Sequence, residues 1–199
     1  ESGKRLLPSV VSFKKDGSSL VGDNAFRQRI LNPEDTFYSV KRFIGRQSST
    51  ISKDEISDCK FKIDLSDNQP KLKSQNVDSF FEVSEISAQV LLEIKRQSEK
   101  FLDQKITQCV ITVPAYFDNN QRTATKQAAE IAGLDVINLI NEPTAAALAY
   151  TKDRGKDGKV LICDLGGGTF DISLVDQDLA QNFCEVLAST GDTKLGGDD

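Results

Sequence analysis

Apolar residues recur along this chain in two rhythms, one of about two residues and one of three to four. The switches between them predict alternating strands and helices. Residues 6–13 and Ser19 to Val21 flank Lys14-Lys15-Asp16-Gly17 and read as a β-hairpin around a glycine-containing turn. Asp23 to Leu31 reads as a short helix that stops before Asn32-Pro33. Phe37, Val40, Phe43 and Ile44 have helical spacing and predict a helix closed by Gly45. Arg46 to Ser79 is polar with small apolar islands, which predicts short strands and exposed loops.

The strongest helical pattern runs from Ser84 to Lys105, with Ile86, Val90, Ile94 and Phe101 on one face, joined by Leu91 and Leu102, and with Glu85 near its start. Gln108 to Val113 predicts a buried strand ended by Pro114. Asp118 or Asn119 can cap a helix through Ala132, with Gly133 just beyond it. Val136 to Ile140 is a further strand. Thr144 to Tyr150 is an alanine-rich helix opened by Pro143. Lys152 to Lys159 reads as a charged turn and an internal boundary, and strands at 159–164, 170–175 and 183–188 follow. This alternation predicts an α/β fold.

Composition narrows the chemistry. The 199 residues hold 25 Lys and Arg against 30 Asp and Glu, a net charge of −5, which disfavours non-specific nucleic-acid binding. No apolar stretch is long enough to span a bilayer. There is no His, which removes Ser-His-Asp and Cys-His triads and His-containing zinc sites. There is no Met, even at position 1, so the chain is expected to begin after its natural start. Cys59, Cys109, Cys163 and Cys184 form no CxxC pair, and Cys109 and Cys163 lie in apolar runs. They read as buried free thiols of a reducing compartment.

The sharpest local feature is the run from Leu161 to Ser173: an apolar strand, a carboxylate at Asp164, then Gly166, Gly167 and Gly168, and the hydroxyl of Thr169. Glycines let a polyanion approach the backbone, whose N–H groups then form an anion-binding nest. A carboxylate beside a phosphate cradle makes sense with a divalent ion between them. The run is neither a Walker A loop nor a dinucleotide fingerprint, because Phe170, Ile172 and Leu174 alternate with Asp171 and Ser173 and predict a strand after the glycines. An ordinary glycine-rich turn is the plain alternative. Glu142, opening the helix of Ala145, Ala146 and Ala147, can reach a metal's water shell or simply favour the helix dipole. Lys41 can meet a transferring phosphoryl group or belong to a solvated face, and the run Val113 to Phe117 with Arg122 can be only a turn and a helix cap.

These segments, in this order, resemble the nucleotide-binding domain of the seventy-kilodalton heat-shock (DnaK-type) chaperone family. Val21-Gly22, the blocks 32–37, 40–46, 111–117, 141–147, 164–171 and 191–197 carry the resemblance along nearly the whole chain. It implies actin-like ATPase (ribonuclease-H-like) lobes: a first lobe lacking its N-terminal phosphate hairpin, with residues 1–85 mainly its outer and 86–158 its inner subdomain, and the start of a second lobe at 159–199. It also implies ATP or ADP with Mg²⁺ and K⁺. Asp164 and Asp171 would hold metal waters and a monovalent cation, and Glu142 would orient the metal's water shell. Gly166, Gly167, Gly168 and Thr169 would form the second phosphate hairpin, with Gly196 and Gly197 as a nucleotide-facing turn. Lys41 would position the attacking water. Pro114 and Arg122 would relay nucleotide state to a peptide-binding domain.

Implied partners are client peptides, a J-domain co-chaperone and a nucleotide exchange factor, in the cytoplasm or an organelle matrix. The first phosphate hairpin belongs upstream of Glu1, and the block at Asp198-Asp199 continues in the family, so this chain alone is expected to hydrolyse little ATP. Asn138 stands where relatives usually carry a basic residue, and Lys194 where they carry His. A sugar or acetate kinase of the actin-like superfamily shares the glycine hairpin, and an inert interaction module is the third reading; the block 141–147 favours the chaperone.

Overall fold

The computed structural model describes residues 6–154, 157–178, 181, 183–192 and 195–197. The chain divides into two compact units, residues 1–108 with 123–135, and residues 109–122 with 136–199. Helices and strands are mixed in each, around several small sheets, the class that the sequence predicts.

In the first unit, β1 (Val10–Phe13) and β2 (Ser19–Val21) form the expected hairpin, with Val11 opposite Val21. Gly17 sits at φ 82 in its turn, where a side chain would be strained. The segment after it holds two single-turn helices, α1 (Asp23–Phe26) and α2 (Gln28–Leu31), not one. The helix expected from Phe37 to Ile44 is absent. Residues Thr36–Tyr38 form β3, paired antiparallel to β1. Ser39 then turns left-handed at φ 51, and Val40–Arg42 form a 3₁₀ turn. The apolar spacing marked the core and not a helix: Phe37, Val40, Phe43 and Ile44 are all buried, reached from a strand and a turn.

The polar stretch after Gly45 contains α3 (Lys53–Ser57), which the polar reading missed. It starts with a capping box in which Ser52 and Glu55 satisfy each other's backbone N–H groups. A second sheet follows, β4 (Lys62–Asp64), β5 (Lys71–Ser74) and β6 (Ser79–Glu82), ordered β4-β5-β6 and antiparallel. Phe13 of β1 stacks on Phe81 of β6 at 4.6 Å, and Phe37 meets Phe13 and Phe61 edge-on at 6.0 and 5.2 Å. This aromatic cluster joins the two sheets into one core. Beside it the buried Asp35 carboxylate accepts from the Ser74 hydroxyl and the Asn76 N–H, so its charge is not stranded. Helix α4 (Val83–Leu102) buries Val83, Ile86 and Ala88. The apolar stripe read along it is buried only in this first half, since Ile94 and Phe101 are exposed.

In the second unit, residues 109–113 of β7 (Gln108–Val113) pair with β8 (Asp135–Asn141). Strand β7 alternates exposed and part-buried positions, with only Val113 buried. β8 is its one sheet neighbour among the described residues, so the expected fully buried strand is not seen. In sequence between these strands comes α5 (Asn119–Ile131), whose residues from Thr123 on belong to the first unit; it begins with a reciprocal Asp118–Gln121 cap and ends at Gly133, φ 69. Helix α6 (Glu142–Arg154) runs through the start of the charged turn expected at 152–159; residues 155 and 156 lie outside the described residues. It packs on a three-stranded antiparallel sheet of β9 (Gly158–Leu165), β10 (Phe170–Asp178) and β11 (Phe183–Asp192), in the order β11-β10-β9.

The cysteines are free, as expected, but none of the four is fully buried. Strand alternation turns Cys163 outward with Leu161 and Leu165, and Cys109 is part-buried. Burial pushes the Cys59 thiol up to about 11, so it is inert at neutral pH.

Candidate functional site

The glycine run is the connection of a β-hairpin, as the sequence predicts. Strands β9 and β10 pair antiparallel, with Phe170 opposite Leu165 and Asp171 opposite Asp164. The Gly166 N–H closes the loop on the Thr169 carbonyl at 2.9 Å. Gly196 and Gly197 lie against the same loop. The Gly197 N–H donates to the Gly166 carbonyl at 2.9 Å, and a Cβ on Gly196 would stand 2.2 Å from the Gly167 oxygen. Only glycine permits that backbone approach.

Asp164 and Asp171 are direct cross-strand partners and therefore share one face of the hairpin. Asp171 and Thr169 are each 8 % exposed, and the Thr169 hydroxyl donates to Asp171 Oδ2 at 3.1 Å. Strand β11 crowds the same carboxylate: a Cβ on Gly191 would lie 2.3 Å from Asp171 Oδ1. Further along the face the Ser173 and Ser189 hydroxyls bond each other at 2.9 Å. Glu142, at the first turn of α6, lines one small cleft together with Pro114, Asp164 and Asp171. Four residues singled out separately in the sequence thus meet within the second unit.

Arg122 braces this cleft. Its guanidinium donates to the carbonyls of Phe117 and Ala115, at 3.0 and 3.4 Å, and to Asn141 Oδ1 at 2.8 Å, tying the loop after Pro114 to the residue before Glu142. Tyr116 belongs to the site and was overlooked; its place inside the Val113–Phe117 block was the available signal. Its phenol is pushed well above its ordinary range by burial, by the nearby Asp171 carboxylate and by Glu142. Lys41 lies in the first unit, on the 3₁₀ turn of residues 40–42.

Two carboxylates paired across a hairpin repel each other, by about 1–3 kcal/mol at a typical cross-strand separation of roughly 5 Å. A cation in the cleft would offset that cost, so the donor set fits a hydrated divalent ion. Among the described residues no three His, Cys, Asp or Glu side chains are grouped to ligate one ion directly, so contact would run through water.

The family model described as Hsp70 protein matches residues 1–199. The chain is 49 % identical, over 99 % of its length, to the chaperone protein DnaK of Prochlorococcus marinus, covering 31 % of that protein. It is equally 49 % identical over 99 % of its length to the chloroplastic stromal 70 kDa heat shock-related protein of Pisum sativum, covering 28 % of it. The chloroplastic heat shock 70 kDa protein 6 of Arabidopsis thaliana is 48 % identical, again over 99 % of this chain and 27 % of its own. The chain thus spans under a third of the length of these relatives, and with the model matched from end to end it belongs to the Hsp70 family.

Proposed function

We propose that this chain is part of an ATP-dependent protein-folding chaperone in which the cleft of Glu142, Asp164 and Asp171 binds Mg-ATP and supports its hydrolysis. One observation carries the reading: three acidic side chains line a single cleft at the mouth of a glycine hairpin. In this reading Gly166, Gly167, Gly168 and Thr169 form the hairpin that receives the phosphates. Asp164, Asp171 and Glu142 hold and orient the water shell of the metal, and Thr169 keeps Asp171 fixed by donating to it. The Mg²⁺ supplies charge neutralisation of the triphosphate, and K⁺ is its proposed monovalent companion at the two aspartates. Phosphoryl transfer to water depends on positioning and charge more than on a strong base, so a chain without His is equipped for it. Lys41 is the proposed group that places the attacking water and meets the charge on the γ-phosphate.

Residues 1–85, 86–158 and 159–199 are proposed as the outer and inner subdomains of the first lobe and the opening of the second. Pro114 and Arg122 are proposed as the link from nucleotide to a peptide-binding domain, and Gly196 and Gly197 as a nucleotide-facing turn. Client peptides, a J-domain co-chaperone and an exchange factor are the proposed partners, in the cytoplasm or a plastid stroma. The test is single-turnover hydrolysis by the full-length protein. Lys41→Ala is expected to abolish hydrolysis and to spare nucleotide binding, and Asp171→Asn to weaken metal-dependent binding. Wild-type hydrolysis in Lys41→Ala removes the role given to that residue, and ATP-dependent phosphorylation of a small hydroxylated substrate overturns the hydrolase reading.

A further inference from the structure

Lys41 rides on a turn with little regular structure to hold it. The turn starts at left-handed Ser39 and is closed by the Arg42 N–H on the Ser39 carbonyl, at 3.1 Å, and by the Phe43 N–H on the Val40 carbonyl, at 2.9 Å. Buried Val40 and Phe43 anchor one side of it. The other side is held by Arg46. Its Nη1 donates to the Arg42 carbonyl at 3.0 Å and to Glu55 Oε1 at 2.7 Å, and its Nη2 donates to the Thr50 carbonyl at 2.6 Å. Glu55 is fixed in turn, since its Oε2 accepts the Ser52 N–H at 2.8 Å and its own N–H donates to the Ser52 hydroxyl. Side chains of Arg46 and Glu55 are 21 % and 12 % exposed. Burial acts to raise the Glu55 carboxyl, and the bonds from Arg46 and Ser52 outweigh it and bring it to about 2. The α3 capping box therefore extends, through Glu55 and one guanidinium, to the carbonyl next to Lys41.

We propose that Arg46 and Glu55 are positioning residues for Lys41, a clamp that fixes the height and direction of the 40–42 turn. The proposal rests on the catalytic reading of Lys41 and deepens it. A planar fork is needed, because one ammonium cannot reach three acceptors on separate segments.

The experiment compares Glu55→Gln, Arg46→Lys and the milder Ser52→Ala with Lys41→Ala in the full-length protein. Single-turnover hydrolysis and equilibrium nucleotide affinity are read for each, together with hydrogen exchange of the Arg42 and Phe43 amides. Glu55→Gln and Arg46→Lys are expected to slow hydrolysis by about ten- to a hundredfold, the loss a misplacement of about 1 Å carries, with affinity unchanged within about twofold. The double variant should be no slower than the worse single one, and the two amides should exchange faster. Ser52→Ala should show the same signs at smaller size. A dead Lys41→Ala beside a Glu55→Gln of normal rate overturns the clamp alone. Slowed hydrolysis with unchanged exchange at Arg42 and Phe43 also overturns it. Wild-type hydrolysis in Lys41→Ala overturns the catalytic reading on which the clamp depends.

Discussion

Gly191 offers a stringent test of the site geometry. It is the β11 residue opposite Asp171, and the nearest atoms to a Cβ placed on it are Asp171 Oδ1 at 2.3 Å and the Phe170 carbonyl oxygen at 2.6 Å. The carboxylate can swing aside, but the carbonyl is backbone inside a ladder. An ordinary contact begins at 3.4 Å, so Gly191→Ala must move β11 from β10 by 3.4 − 2.6 = 0.8 Å or expel Asp171 from its place. Overpacking of this kind costs about 1–3 kcal/mol, against a gain of about 0.5–1 kcal/mol from replacing glycine within a strand. The net expectation is a loss of about 1 kcal/mol, which lowers a urea midpoint by about 0.5 M for a denaturant slope of about 2 kcal/mol per M. Urea unfolding followed by circular dichroism measures this. Because the backbone contact dominates, adding Asp171→Ala should not restore the midpoint. An unchanged or raised midpoint for Gly191→Ala, or full rescue by Asp171→Ala, refutes the reasoning.

Three further outcomes follow from the same structure. Thr169→Val removes the donor of the 3.1 Å bond to Asp171 Oδ2 and should cost about 1 kcal/mol, with weakened metal-dependent nucleotide binding in the full-length protein; thermal unfolding and titration calorimetry read the two effects, and no change in either contradicts the contact. The Glu55 carboxyl is depressed from 4.5 to about 2, so its contribution is complete above about pH 4.5 and disappears as pH falls through about 2. The difference in melting temperature between the protein and Glu55→Gln should therefore shrink across that window, and a constant difference opposes the assignment. Phe37→Ala empties the 0 %-exposed centre of the aromatic cluster and should cost about 3–5 kcal/mol; a loss below about 1 kcal/mol by denaturant unfolding argues against that cluster as the core of the first unit.

Much of the candidate site was legible because its residues fall in short contiguous runs. Asp164, the glycines and Asp171 sit within eight positions, and the period-two pattern after Gly168 predicted the strand that places Asp171 opposite Asp164. Other features depend on contacts that no local pattern encodes. Phe37 and Phe43 read as one helix because spacing records burial and not backbone path, and pairing of Phe37 with Val11 decided for a strand. Tyr116 was hidden because its meaning lies in Asp171, more than fifty residues away in sequence. The Ser52–Glu55 capping box was visible as a motif, but the polar composition around it masked a helix of only five residues.

The charge balance of the cleft gives the last expectation. Glu142, Asp164 and Asp171 all line it, and Arg122, the cation nearest in sequence to Pro114, spends its donors on Phe117, Ala115 and Asn141. A triphosphate entering such a site meets three like charges, and repulsion of about 1 kcal/mol or more per close pair favours departure. On the proposed reading, nucleotide and divalent metal must therefore bind as one linked unit. Chelating the metal should weaken ATP binding by the full-length protein far more than raising the salt does, since screening acts weakly on partly buried charges. Replacing Asp171 with Asn removes one of those charges, so it should weaken binding in Mg²⁺ yet reduce the penalty that chelation imposes. Calorimetric titration of both proteins with ATP, with and without EDTA, separates the cases. Equal losses on chelation in the two proteins would mean that Asp171 faces no metal and that the cleft works by some other balance.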